Sequence, residues 1–148
     1  MPQSLTQLLV HVVFSTKDRA PLIADAWRPD LHAYIGGILR KRKCDLLAAG
    51  GIEDHIHLLV RMATTISIAD MIRDVKTNSS AWRHESGDGR FAWQSGSGVF
   101  SVGPESVAAV SAYMADQRDH HRKATFQDEY RSFLRTHGME FDERYLWD

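Results

Sequence analysis

Apolar positions along the chain change their spacing several times, and each change marks an element. From Gln7 to Ser15 valine and leucine dominate with weak alternation, the pattern of a buried strand. Pro29 then opens a helix that runs toward Lys43 and puts Leu31, Tyr34, Ile35 and Ile38 on one face, which assigns Tyr34 to the core. Asp45 to Ala49 predicts a second strand, Gly50-Gly51 a turn, and Ile56 to Met62 a third strand. Ser67 caps a second helix, with Asp70 placed for a capping box and a stripe of Ile68, Met71, Ile72, Val75 and Trp82. After a turn at Gly87-Asp88-Gly89, Phe91–Gln94 and Val99–Val102 predict short strands around Gly96-Ser97-Gly98. Pro104 starts a third helix, through about Lys123, and a fourth covers Gln127 to His137 and stops at Gly138. The aromatic and charged tail Phe141–Trp147 is expected to dock on the surface.

The order is β-α-β-β-α-β followed by further helices. That is the split βαβ, or ferredoxin-like, arrangement: an α+β fold with an antiparallel sheet, helices on one face, and the first and third strands at its centre. No internal repeat or low-complexity segment divides the chain, and 148 residues suffice for one domain with a proper core.

Composition narrows the function classes. A net charge of −1 argues against a broadly basic nucleic-acid binder. The charge is nevertheless uneven, because the stretch after Thr125 is acidic and basic residues gather elsewhere. Arg40-Lys41-Arg42-Lys43 is the densest cluster, read as a solvated helix end or as a phosphate contact. A second polar stripe, Arg73, Lys76, Ser80 and Arg83, carries the same two readings. No apolar run reaches the ~20 residues of a membrane span, and because Met1–Leu5 lacks a charged start followed by a long apolar stretch, no signal peptide is expected. Cys44 is the single cysteine and is expected to be a small buried apolar residue. A cytoplasmic protein with no membrane partner is the expectation.

His55-Ile56-His57 is the most informative triplet. On a strand, side chains alternate, so both imidazoles share one face while Ile56, Leu58 and Val60 pack on the other. Imidazole is a common ligand for divalent metals. Farther on, Tyr113 and Gln117 stand four apart on the third helix and face the same way. His120-His121-Arg122-Lys123 follows, which in isolation reads as capping of a helix C-terminus.

Several segments together resemble the single-tyrosine HUH transposases of the smallest bacterial insertion sequences (the 200/605 type) over nearly the whole length. They are Val13–Lys17, Asp54–Val60, Val75–Ser80, Phe91–Gln94, Ala112–Gln117 with His120–Lys123, Thr125-Phe126 and Phe141–Trp147. In the Gly96-Ser97-Gly98 turn an aromatic residue is common between the glycines, and here it is absent. The resemblance implies a single HUH transposase domain over residues 1–148, with the tyrosine on an added C-terminal helix. It implies cleavage and rejoining of single-stranded DNA at hairpin-bearing element ends. Tyr113 would be the nucleophile, forming a 5′-phosphotyrosine. His55, His57 and Gln117 would hold Mg²⁺ or Mn²⁺, the nitrogen donors suiting Mn²⁺ better. Lys17, Arg19, Lys76 and Arg83 lie in or beside the matching segments and are candidates for DNA binding. A single nucleophile per chain for a two-cut reaction implies a homodimer with composite sites. The covalent bond conserves the phosphodiester energy, so no nucleotide cofactor is expected, and no phosphate-binding Gly-rich loop with a lysine appears.

Other readings remain open at this level. A domesticated transposase-like nuclease acting on chromosomal repeats would share the chemistry. A non-catalytic single-strand nucleic-acid-binding module would need exposed aromatics on the strands, where this chain offers Leu, Val and His. A structural zinc protein would need a closed set of ligands, which is not evident.

Overall fold

The computed structural model describes residues 3–148, so Met1 and Pro2 of the N-terminal stretch lie outside it. Four strands, β1 (Leu9–Ser15), β2 (Asp45–Ile52), β3 (His55–Arg61) and β4 (Gly98–Ser101), form one sheet in the order β2-β3-β1-β4. Every pairing is antiparallel, and β1 and β3 are central, as the element order requires. Helix α1 (Arg28–Lys41) connects β1 to β2, and α2 (Ile68–Glu85) connects β3 to β4. Three further helices follow: α3 (Val107–Ala115), α4 (Gln117–His120) and α5 (Phe126–Thr136).

Strand alternation sorts the side chains into two layers. Val10, Val12 and Phe14 of β1 and Ile56, Leu58 and Val60 of β3 form the main core with Leu31, Ile35 and Leu39 of α1 and Met71, Ile72 and Val75 of α2. The opposite face is covered too. Val13 joins Phe100, Phe126, Tyr130 and Leu134, with Phe133, Phe141, Leu146 and Trp147 packed around them. The tail docks as expected: the main-chain carbonyl of Asp148 accepts a hydrogen bond from Gly96 N at 2.8 Å. Cys44 is buried, and among the described residues no helix is long and apolar enough to cross a membrane.

Four local expectations are corrected. Gly50 and Gly51 do not turn but lie within β2, and the chain reverses after them at Glu53-Asp54. A Cβ on Gly50 would lie 2.1 Å from Met114 O, so the glycine is there to let α3 touch the strand. Phe91–Gln94 forms no strand, only a single bridge between Trp93 and Thr16, because its side chains wedge into the core instead of lining a ladder. Tyr34 is exposed and stacks on Trp82 with centroids 5.1 Å apart, since it lies at the edge of the α1–α2 contact. The helix from Pro104 to Lys123 is broken at Asp116 (φ −98°, ψ 19°), whose N–H is shared between the carbonyls of Ala112 and Tyr113.

His32 on α1 links this packing to pH. Burial, with the Arg28 charge as a second cause, lowers its pKa to about 4. Its folded value is below the unfolded one, so the unfolded chain takes up the extra proton first. Stability from this group is present above pH about 6.5 and is lost as pH falls toward about 4, at no more than about 1.4 kcal/mol per unit. His32→Gln should therefore flatten the loss of stability seen by urea unfolding between about pH 7 and about pH 4.5. Identical profiles for the two proteins would show that His32 titrates alike in both states.

Candidate active site

His55 and His57 are fully buried on the β3 face that turns away from the main core. Each ring is anchored at the nitrogen remote from the site. His55 Nδ1 is 2.7 Å from Asp54 Oδ1, and His57 Nδ1 is 2.8 Å from His11 Nε2 on the neighbouring strand. Both Nε2 atoms are thereby aimed at a common point, which is how outer partners orient imidazoles toward a metal. The break at Asp116 swings Gln117 inward, and it is buried with Oε1 3.0 Å from His55 Nε2. Tyr113, one turn back, packs its ring against His57 at a centroid distance of 5.7 Å.

Two more residues meet at this point: His121, which in the sequence belongs to a helix-capping cluster and not to the expected ligands, and Glu129, which was not singled out from the sequence. His121 Nε2 lies 3.0 Å from Gln117 Oε1, its Nδ1 being held 2.8 Å from Ala124 O. Glu129 on α5 sits in the middle. Its Oε1 is 2.9 Å from His57 Nε2 and 3.4 Å from His55 Nε2, while Oε2 is 3.2 Å from His121 Nε2. The Tyr113 hydroxyl donates to the same Oε2. His120 Nε2 is 3.3 Å from that oxygen but lacks hydrogen-bond geometry. Glu129 had a legible signal. It falls on the stripe of Phe126, Tyr130, Phe133 and Leu134, and an acid on an apolar helix face needs a partner.

Burial and charge set the protonation. Burial is the largest influence on Glu129 and favours the neutral acid, but hydrogen bonds from His121 and His57, with the charges of His57 and His55, overcome it and hold the carboxyl well below its ordinary range. Burial likewise works against a charged His121, yet the Glu129 contact raises its pKa overall. His57 is lowered, chiefly by burial, with Glu129 opposing. His11 is lowered to about 3 by burial and by His57, so it stays neutral across the physiological range. The Tyr113 phenol is raised by burial and then by the Glu129 carboxylate.

The donor set suits a divalent cation. One ligand atom from each of His55, His57, His121 and Glu129 can be chosen so that all lie within 4.8 Å of one another. Ligands held about 2.1 Å from one ion span nearly that distance. An open groove of about 710 Å³, lined by Tyr113, His120, Arg122 and Lys123 and by the acidic Asp116 and Asp119, runs past the phenol.

The basic residues named from the sequence lie elsewhere. Lys17 is exposed, and Arg19 lies over the Trp147 ring at 5.6 Å. Lys76 Nζ instead donates to the carbonyls of Gln94, Ser95 and Gly96 at 3.0, 3.2 and 2.6 Å, and burial lowers its pKa to about 8. Arg83 lies 3.7 Å over the Trp27 ring and pairs with Asp88.

The family model for IS200-like transposases matches residues 4–117. Among solved structures, a candidate transposase from Deinococcus radiodurans R1 is similar at 20% identity and a TM-score of 0.62, covering 79% of this chain and 98% of that one. A REP-associated tyrosine transposase bound to a REP hairpin is similar at 13% identity and a TM-score of 0.61, covering 82% of this chain and 73% of that one. No curated protein matches at a significant level.

Proposed function

Because this chain belongs to the IS200-like transposase family, we propose that it cuts and rejoins single-stranded DNA with Tyr113 as the nucleophile. One observation carries the reading. Two pairs far apart in sequence, His55 with His57 and Tyr113 with Gln117, converge on one buried point beside an open groove. In the reaction the phenolic oxygen bonds to the scissile phosphorus, and the bond to the 3′ oxygen breaks. The phenol gives up its proton and the departing 3′ oxygen gains one. The products are a 5′-phosphotyrosine and a free 3′-hydroxyl, and attack by another 3′-hydroxyl reverses the step. His55, His57 and Gln117 would hold Mn²⁺ or Mg²⁺. Such an ion supplies Lewis-acid charge to the phosphate when bound. Asp54 and His11 keep the two imidazoles oriented for it.

The substrate we assign is a strand bearing hairpin ends, handled in the cytoplasm. Lys17 and Arg19 are the proposed phosphate contacts. Lys76 and Arg83, whose heads are engaged within the fold, shape the neighbouring surface. Excision needs two cuts, which calls for two chains. Tyr113 lies against its own chain's histidines, so a composite site in a dimer would require α3 and α4 to leave them.

Incubation with single-stranded flanking DNA and Mn²⁺ should give a covalent protein–DNA adduct, and duplex DNA should give none. Mixing Tyr113→Phe chains with His57→Ala chains then tests the site's construction. Restored cleavage after proven subunit exchange means composite sites; no rescue means that each chain works alone. Absence of any adduct under these conditions would sink the proposal.

A further inference from the structure

The position of Glu129 is not explained by a ligand set of two histidines and an amide. It is 4% exposed, on a helix face otherwise made of Phe126, Tyr130 and Leu134. A buried carboxylate there is destabilising unless its partners are supplied in full. The fold supplies them. Thr125 caps α5 through Asp128 N at 3.2 Å, and Phe126 stacks on the His55 ring at 4.6 Å. The helix is thus fixed on the histidine face, and Glu129 is carried to its centre.

Its two oxygens face different partners. Oε1 faces the Nε2 atoms of His55 and His57, and Oε2 faces His121 and the Tyr113 hydroxyl. A carboxylate is an acceptor at both oxygens, so it can serve a cation on one side and a hydroxyl donor on the other. We propose that Glu129 is a positioning residue: one oxygen completes the cation site and the other seats the nucleophilic phenol beside it, within the same chain. This rests on the proposed function and adds to it a carboxylate that ties cation binding to the docking of Tyr113.

Two readouts test it without DNA cleavage. One is Mn²⁺ affinity by titration calorimetry. The other is acylation of Tyr113 by N-acetylimidazole, mapped by mass spectrometry, with exposed Tyr145 as internal reference. Glu129→Gln keeps the shape but turns one acceptor into a donor. It should weaken Mn²⁺ binding by about tenfold or more and speed Tyr113 acylation severalfold, with Tyr145 unchanged. Glu129→Asp keeps the charge but is one methylene too short to reach both partners. It should regain part of the Mn²⁺ affinity and leave Tyr113 reactive, and it carries the test if the glutamine variant fails to fold. Equal or tighter Mn²⁺ binding in Glu129→Gln would mean that the carboxylate merely plugs the site. A Tyr113 that stays protected would remove the seating role. Loss of Mn²⁺ binding in His55→Ala/His57→Ala with full binding in Glu129→Gln overturns this role alone. Full binding in both overturns the metal reading itself.

Discussion

Tyr113→Phe should abolish the covalent DNA adduct, a loss of at least ~10³-fold, while the protein remains folded and binds DNA. The substitution removes one oxygen and keeps the ring between His57, His120 and Phe133. Glu129 loses one donor but keeps His57 and His121, so stability should fall by about 1.5–3 kcal/mol, within the reach of a folded domain. No other tyrosine can substitute. Tyr130 is buried against Phe126 and Tyr34 is stacked on Trp82 beside α2, while Tyr145 is exposed on the tail. The adduct is measured by gel shift of denatured protein and mapped by mass spectrometry. A normal yield in the variant, or an adduct on another tyrosine, would refute the mechanism.

Gly50→Ala should be nearly as damaging, although residue 50 carries no chemistry. The added Cβ would meet Met114 O at 2.1 Å, Met114 C at 2.7 Å and Met114 Cβ at 2.9 Å. Main-chain atoms cannot swing aside as a side-chain tip can, so α3 must lift from β2. Overpacking of this kind costs about 1–3 kcal/mol. The larger effect is on geometry, since Tyr113 precedes Met114 and moves with it. A displacement near 1 Å can reduce a positioned reaction by about 10²-fold. The expected result is a folded protein of lower Tm, with Mn²⁺ binding at His55 and His57 retained and the adduct strongly reduced. A structure of the variant with α3 in place and a normal adduct yield would show that the strand yields instead.

What was legible in the sequence depended on how local the signal was. The alternation around His55 and His57 needed only the strand period, and the central pairing of β1 with β3 followed from element order. Gly50-Gly51 misled because a glycine pair signals a turn as readily as a close approach, and the residue that approaches, Met114, lies more than sixty positions away. The break at Asp116 has no proline or glycine to announce it; the inward pull of Gln117 toward His55 is a tertiary effect. Lys76 looked like one more cation on a polar stripe, yet three carbonyls of the loop before β4 surround its ammonium. Glu129 was hidden among acidic neighbours that drew attention to net charge and away from helix face.

The sheet acts as a partition, and residue parity along its two central strands says which side a lesion falls on. Even positions, Val10, Val12 and Phe14 in β1 and Ile56, Leu58 and Val60 in β3, belong to the compartment shared with α1 and α2. Odd positions, His11, His55 and His57 among them, belong to the compartment of the phenol and the carboxylate. Damage on the even side is paid in yield of soluble protein. On the proposed function, substitution of His55 or His57 should instead leave soluble protein that forms no covalent adduct. In a random library of the central strands, the two phenotypes would therefore alternate residue by residue wherever an odd position carries a histidine.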